Sequence, residues 1–337
     1  MSRRAPAFWQ SRSFASAALL PLAALFGLIA AARRALFRLR AVASVRLPVP
    51  VIVVGNIAVG GSGKTPVVDW LVRRLRESGY TPGIVSRGYG GRVEGVTLVP
   101  PDGDPALYGD EPVLLARITG CPLAVGRDRP AAAQALLRAH PDCNVIVADD
   151  GLQHYRLARD IEIAVVDEVT LGNCRLLPAG PLREPVSRLR SVDLVIAHGP
   201  LSPSLAAQID ERPTFQMRLE GHELLMLGKP GERRAPREFV GKRVHAIAGI
   251  GRPERFFAQL GEMGLDVVPH PFPDHHVFVS SDLDFAPDEA KILTSKDAVK
   301  CASFAPADTW EFPVTATIAA GAAEIILEKL SHGRQTA

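Results

Sequence analysis

Cysteine is scarce and, over the first fifty residues, acid is missing altogether. The 337-residue chain has four cysteines, Cys121, Cys143, Cys174 and Cys301, far apart and without a CxxC pair. That excludes a small disulfide scaffold, argues against a structural zinc site and suits a reducing compartment. The first carboxylate is Asp69, whereas residues 1–50 hold eight arginines: Arg3, Arg4, Arg12, Arg33, Arg34, Arg38, Arg40 and Arg46. Removing those eight from 39 Lys+Arg leaves 31 bases against 36 acids, a net of −5 for the remainder. A basic end on an acidic body is not a nucleic-acid-binding design; it points to anionic lipid. Disorder is excluded by a hydrophobic content of 47%, and the length buries a full core in one large or two ordinary domains.

From Ser13 to Ala32 the chain runs 20 residues without a charge, bracketed by Arg12 and Arg33–Arg34. As a helix that is ~30 Å, about one hydrocarbon thickness. Eight alanines, Pro21 and Gly27 make it a marginal span, equally suited to lying in the interface. A cleaved signal peptide fits less well, because arginines follow the apolar run. Five arginines after it against three before favour a cytoplasmic body.

Beyond LeuProValPro (47–50), short apolar runs at 51–55, 83–86, 122–125, 144–148, 161–166 and 193–197 alternate with helical stretches such as Arg129–His140. The alternation predicts an α/β, doubly wound, mostly parallel sheet. Residues 221–237, rich in Gly, Pro and charge, read as a linker or hairpin, and a second α/β set begins at 244. The expected organisation is a membrane-associated helix with its basic flank over 1–46, a core over 47–220 and a smaller α/β lobe over 221–337.

The sharpest local signal is Ala58, Val59, Gly60, Gly61, Ser62, Gly63, Lys64, Thr65, between a predicted strand and a predicted helix. It matches the phosphate-loop pattern GxxxxGK(S/T) except that Ala58 replaces the first glycine. The glycines let backbone N–H groups turn toward phosphate oxygens, Lys64 reaches the β/γ-phosphates and Thr65 offers a hydroxyl to Mg²⁺. Two strand ends could supply the accompanying acid: Asp149–Asp150, with Gln153 and His154 close behind, or Asp167. The first is favoured because its loop is unusually polar.

Such loops serve switches and kinases alike. A guanine-reading N/T-K-x-D motif fails here, since in ThrSerLysAsp (294–297) Lys296 and Asp297 are adjacent. A kinase needs a base, cations and an acceptor pocket. Candidates lie in GlyAspGluPro (109–112), where Asp110 could equally be a helix cap, in ProAlaGlyProLeuArgGluPro (178–185) and in Asp274–His275–His276. A nucleotide-driven switch or metallochaperone is the competing class.

Taken in order, residues 55–66, SerArgGlyTyrGly (86–90), 109–112, AspAspGlyLeuGlnHis (149–154), 178–185, 274–275 and 294–300 resemble the tetraacyldisaccharide 4′-kinases of lipid A synthesis in Gram-negative bacteria. The resemblance implies a P-loop NTPase-like fold and transfer of the ATP γ-phosphate, with Mg²⁺, to the 4′-hydroxyl of an acylated glucosamine disaccharide 1-phosphate, giving lipid IVA. The work would be done at the cytoplasmic face of the inner membrane; no nucleic acid and no protein partner are implied. By the same resemblance Asp110 is the base and His275 orients it. Thr65, Asp149, Asp150 and Glu111 attend the metal, Arg183 and Glu184 lie on a loop over the ligands, and Gln153, His154 and Arg129 support the site.

Overall fold

The protein is described by a computed structural model covering residues 5–335 other than 210 and 230; Arg3 and Arg4 lie outside the described residues. The first lobe is built on Val51–Gly55 (β1), Pro82–Ser86 (β2), Thr97–Leu98 (β3), Leu123–Val125 (β4), Val145–Asp149 (β5), Ile161–Val166 (β6), Leu194–His198 (β7) and Thr214–Glu220 (β8). The second is built on Leu224–Met226 (β9), Arg233–Arg234 (β10), Arg243–Ala248 (β11), Asp266–Pro271 (β12), Ala290–Thr294 (β13) and Thr309–Phe312 (β14). The chain then closes with Thr315–Ile318 (β15) and helix Gly321–Gln335.

In the first sheet the order is β15-β8-β7-β6-β1-β5-β2-β4-β3, parallel from β8 to β4 with antiparallel strands at both edges. Strand β1 is buried along its whole length because it runs at the centre, between β5 and β6. Helices Lys64–Glu77, Asp110–Thr119 and Gly321–Gln335 cover one face through Val67, Leu71, Leu115, Ile326 and Leu330. Helix Arg129–Ala139 covers the other through Ala132 and Leu136. The second sheet, β10-β9-β14-β13-β11-β12, is parallel from β14 to β12, and the expected hairpin at 221–237 forms its antiparallel edge. Residues 315–335 depart from the sequence expectation: β15 pairs antiparallel with β8, so the chain's end belongs to the first sheet and a second linker joins the lobes.

This topology decides where chemistry can sit. In open α/β sheets ligands bind outside the carboxyl ends of the strands, at the point where the winding reverses. Here β1 is that point. Gly55, Ser86, Asp149, Val166 and His198 end their strands on that edge, and Ala248, Pro271 and Thr294 end theirs in the second lobe.

The N-terminal segment docks on the loop that leads into residues 178–185. Asn173 Nδ2, with two hydrogens to donate, faces four acceptors, the carbonyls of Phe8, Ser11 and Ala179 and Ser16 Oγ, and the Ser16 hydroxyl itself donates to Ala179 O at 2.6 Å. Trp9 Nε1 donates to Pro178 O at 3.0 Å, and farther along Arg34 reaches Ser191 and Phe37 meets the Tyr155 ring. Helix Leu20–Arg38 buries Ala23 and leaves Leu25, Leu28 and Ile29 54%, 68% and 60% exposed.

Candidate active site

The phosphate loop is fixed from both ends. Gly60 and Gly63 take φ of +115° and +88°, which side-chain-bearing residues rarely adopt, and helix Lys64–Glu77 starts immediately after Gly63. A Cβ on Gly63 would also lie 2.9 Å from Met217 Cε and 3.1 Å from His198 Nδ1. Ala58 is not among the positive-φ residues; it is buried and bridges Leu182, while Val59 N donates to Pro181 O. The first two loop residues therefore stitch the loop to 178–185 instead of facing phosphate, and a glycine is not needed at 58.

Asp149 ends β5 beside β1, buried, with the Ser86 hydroxyl donating to Oδ2 at 2.9 Å and Arg129 Nη2 donating to its carbonyl at 2.9 Å. Burial pushes its carboxyl up, reinforced by the charges of Glu111 and Asp150. Asp150 behaves oppositely. Burial would raise it, but Lys64 at 3.6 Å and Arg183 at 3.0 Å hold it down at about 2. Gln153 donates to Asn56 O and to Glu184 Oε2, which ties the 149–154 and 178–185 loops together. Glu184 also accepts the Tyr155 hydroxyl. His154 approaches the Arg129 N–H and is held neutral, pushed down to about 4 by burial and then by Arg129. Asp167, the alternative strand-end acid, is instead taken by Arg252 at 2.9 Å and Arg255 at 2.8 Å, arginines from the second lobe.

Across the gap, Asp110 begins helix Asp110–Thr119 just after Gly109, whose φ of +95° makes that residue the cap in place of Asp110. His275, at φ +58° in the loop after β12, sets Nδ1 3.1 and 3.2 Å from the two Asp110 oxygens. Burial favours the protonated acid at Asp110, but the His275 hydrogen bond and the charges of Lys296, His275 and Lys300 outweigh it and hold the carboxyl at about 2. The Asp110 bond raises His275 against the opposing effects of burial and Lys296. Glu111, expected beside the metal, lines the cavity described below and pairs with Lys296 at 3.0 Å.

Beside these groups lies an inter-lobe cavity of ≈ 940 Å³ whose walls include Gly61–Thr65, Glu111, Asp274 and Lys296, with an apolar side that includes Leu114, Phe256 and Phe312; Asp110, His275, Asp149 and Asp150 adjoin this lining without belonging to it. Arg129, Gln153, His154, Arg183 and Glu184 do not line it either; Arg129 and Arg183 hold Asp149 and Asp150, and Gln153 joins Glu184. Four residues there were missed: His198, Arg252, Arg255 and Lys296. His198 and Lys296 each sit at or just after a strand's carboxyl end, a signal available in the sequence. Among the described residues no three His, Cys, Asp or Glu are arranged to hold a metal ion. A nucleotide-borne Mg²⁺ does not need such a cage, since one or two carboxylates and phosphate oxygens suffice. The hard oxygens of Thr65 and the crowded Asp149 carboxylate fit that requirement.

A family model described as Tetraacyldisaccharide-1-P 4'-kinase (LpxK) matches residues 15–331. The chain is 72% identical over 337 residues, all of both chains, to the tetraacyldisaccharide 4'-kinase of Aromatoleum aromaticum. It is 64% identical to that of an Azoarcus species over 99% of this chain and 97% of the relative. A crystal structure of LpxK from Aquifex aeolicus in complex with ATP superposes with a TM-score of 0.77 at 29% identity, covering 94% of this chain and 99% of that one. The fold agrees with that of the solved relative, and the chain belongs to the tetraacyldisaccharide-1-phosphate 4'-kinase family.

Proposed function

We propose that the chain moves the γ-phosphoryl group of ATP onto the 4′-hydroxyl of an acylated glucosamine disaccharide 1-phosphate, working from the cytoplasmic face of the inner membrane. The observation that carries this is the Asp110–His275 pair, brought together from two lobes, whose chain neighbours Glu111 and Asp274 line the same cavity as the phosphate loop. Asp110 takes the proton of the attacking hydroxyl, and His275 fixes the direction in which its oxygens point. Lys64 and the loop N–H groups neutralise charge spreading over the phosphoryl oxygens. Thr65 and Asp149 would hold Mg²⁺, which supplies further neutralisation at the phosphates. A switch needs no such dyad, so the kinase reading is favoured.

The acceptor's acyl chains call for a membrane contact. The described helix Leu20–Arg38 is long and apolar enough to cross a bilayer. The contacts of the N-terminal segment with the body, from Trp9 before the helix to Arg34 and Phe37 near its end, favour a helix lying along the surface. Purified protein, γ-labelled ATP and a tetraacyl disaccharide 1-phosphate in micelles should put label into the lipid; label found only in inorganic phosphate defeats the reading. The double variant Leu28→Asp, Ile29→Asp leaves the docked residues Ser16 and Ala23 untouched. It should weaken co-sedimentation with acidic vesicles by at least ~10-fold, given ~1.5–3 kcal/mol per buried side chain. Unchanged sedimentation rules out this face as the anchor.

A further inference from the structure

Asn173 takes no part in the proposed reaction, yet it stands at the junction between the N-terminal segment and the loop that braces the phosphate cradle. It follows the short helix Glu168–Leu171 and is buried. Its backbone and side chain are both turned to the docking. The N–H donates to Trp9 O at 2.7 Å, Oδ1 accepts from Arg175 N at 3.0 Å, and the amide hydrogens face Phe8, Ser11, Ser16 and Ala179. The approach is close. Gly172 takes φ of +52° and a Cβ there would overlap the Trp9 carbonyl, while a Cβ on Gly180 would overlap Asn173 Oδ1. A segment that served only as a tether would need no such fit.

From Asn173 the contacts run unbroken to the phosphate loop. Ala179 O accepts from the Ser16 hydroxyl and faces the Asn173 amide. Two residues on, Pro181 O accepts from Val59 N at 2.9 Å, Leu182 bridges Ala58, and Arg183 N donates to Ile57 O at 2.7 Å. The Arg183 side chain then reaches Asp150 at 3.0 Å, and Asp150 lies 3.6 Å from Lys64 Nζ. Residues 57–59 lead directly into Gly60–Thr65, so a shift of 178–185 moves the footing of the cradle. Coupling between sites is carried by contiguous contacts of this kind.

We propose that Asn173 is a positioning residue that makes the docked N-terminal segment part of the nucleotide site: the segment seated on Asn173 holds 178–185, and through it residues 57–59 and Arg183, in the arrangement that binds the phosphates of ATP. The exposed Leu25, Leu28 and Ile29 play no part in this. The inference rests on ATP binding at the phosphate loop and is independent of what the acceptor is.

The test is ATP affinity by calorimetry on the full chain, without lipid and well below the unfolding temperature. Asn173→Ala should raise Kd for ATP by at least ~5-fold. So should the double variant Trp9→Ala, Ser16→Ala, which alters the N-terminal segment alone. Leu28→Asp, Ile29→Asp, aimed at the exposed face, should leave Kd within about twofold. Linkage requires the converse in the wild type: saturating ATP should slow tryptic cleavage after the exposed Arg12 by a similar factor. A lower melting temperature with Kd unchanged is the signature of a merely structural contact and overturns the proposal. Cleavage indifferent to ATP overturns it as well. If Asn173→Ala does not fold, the double variant decides alone. A wild-type chain that binds no ATP refutes the nucleotide site itself, whereas one that binds it with both variants unchanged refutes only the role of Asn173.

Discussion

Gly61, Gly63 and Lys64 come to the cavity from one turn of chain, whereas Asp110 and His275 meet across 165 residues and two lobes. The first group is held by local geometry: two positive-φ glycines, a helix start and the bridge from Ala58 to Leu182. The second is held by whatever joins the lobes, namely Lys296 to Glu111, Arg252 and Arg255 to Asp167, and Arg117 to Glu311 at 2.7 Å. On the proposed roles, nucleotide binding and acceptor activation should therefore be separable, one local and one dependent on assembly.

The strongest way to break that contrast is to injure each half in turn. Asp110→Asn should lower turnover by ~10²–10⁴ as a general base is lost, while ATP binding measured by calorimetry stays within a few-fold. Lys64→Ala should lose nucleotide affinity and rate together, because its ammonium serves bound phosphate and the transition state alike. If Asp110→Asn abolishes ATP binding too, the two halves are not separable.

A smaller effect falls on stability. The Asp110 carboxyl is held at about 2 against an ordinary 3.8, so its contribution is fully present above pH ~4 and is lost as pH falls toward 2. The linkage is worth about 2 kcal/mol. Urea unfolding should show wild type more stable than Asp110→Asn by about that amount near pH 6, with the two converging near pH 2. A constant gap across that range would mean that the ionised carboxylate is not what the second lobe grips.

The same contrast governs what could be read from the sequence. The loop was legible because strand, glycines, lysine and helix are consecutive, and Asp149 followed because an apolar strand ends in it. Arg252 and Arg255 carry no neighbouring pattern, and although His198 and Lys296 stand at strand ends, the partners of all four are chosen by how two sheets face each other, which one-dimensional spacing does not encode. Likewise ThrAlaThrIle (315–318) is too short to announce a return to the first sheet, and its pairing with β8 is fixed by tertiary packing. The N-terminal segment was legible as apolar and basic, but not its docking through Asn173, a single polar residue that satisfies carbonyls from two distant stretches.

The smallest effect sharpens the local side. Ala58→Gly restores the loop pattern's first glycine, and a pattern-based view expects better nucleotide binding from it. The geometry expects none. Ala58 needs no positive φ, its Cβ is buried against the 178–185 loop, and Val59 already donates to Pro181 instead of to a ligand. The glycine would add backbone freedom to the unfolded chain and remove a packed methyl, costing ~1 kcal/mol of stability. KM for ATP should stay within about twofold, a change too small to register as even ~0.5 kcal/mol of binding. A tenfold gain in ATP affinity would mean that the loop's first position touches phosphate after all, and that its stitching to Leu182 gives way when nucleotide binds.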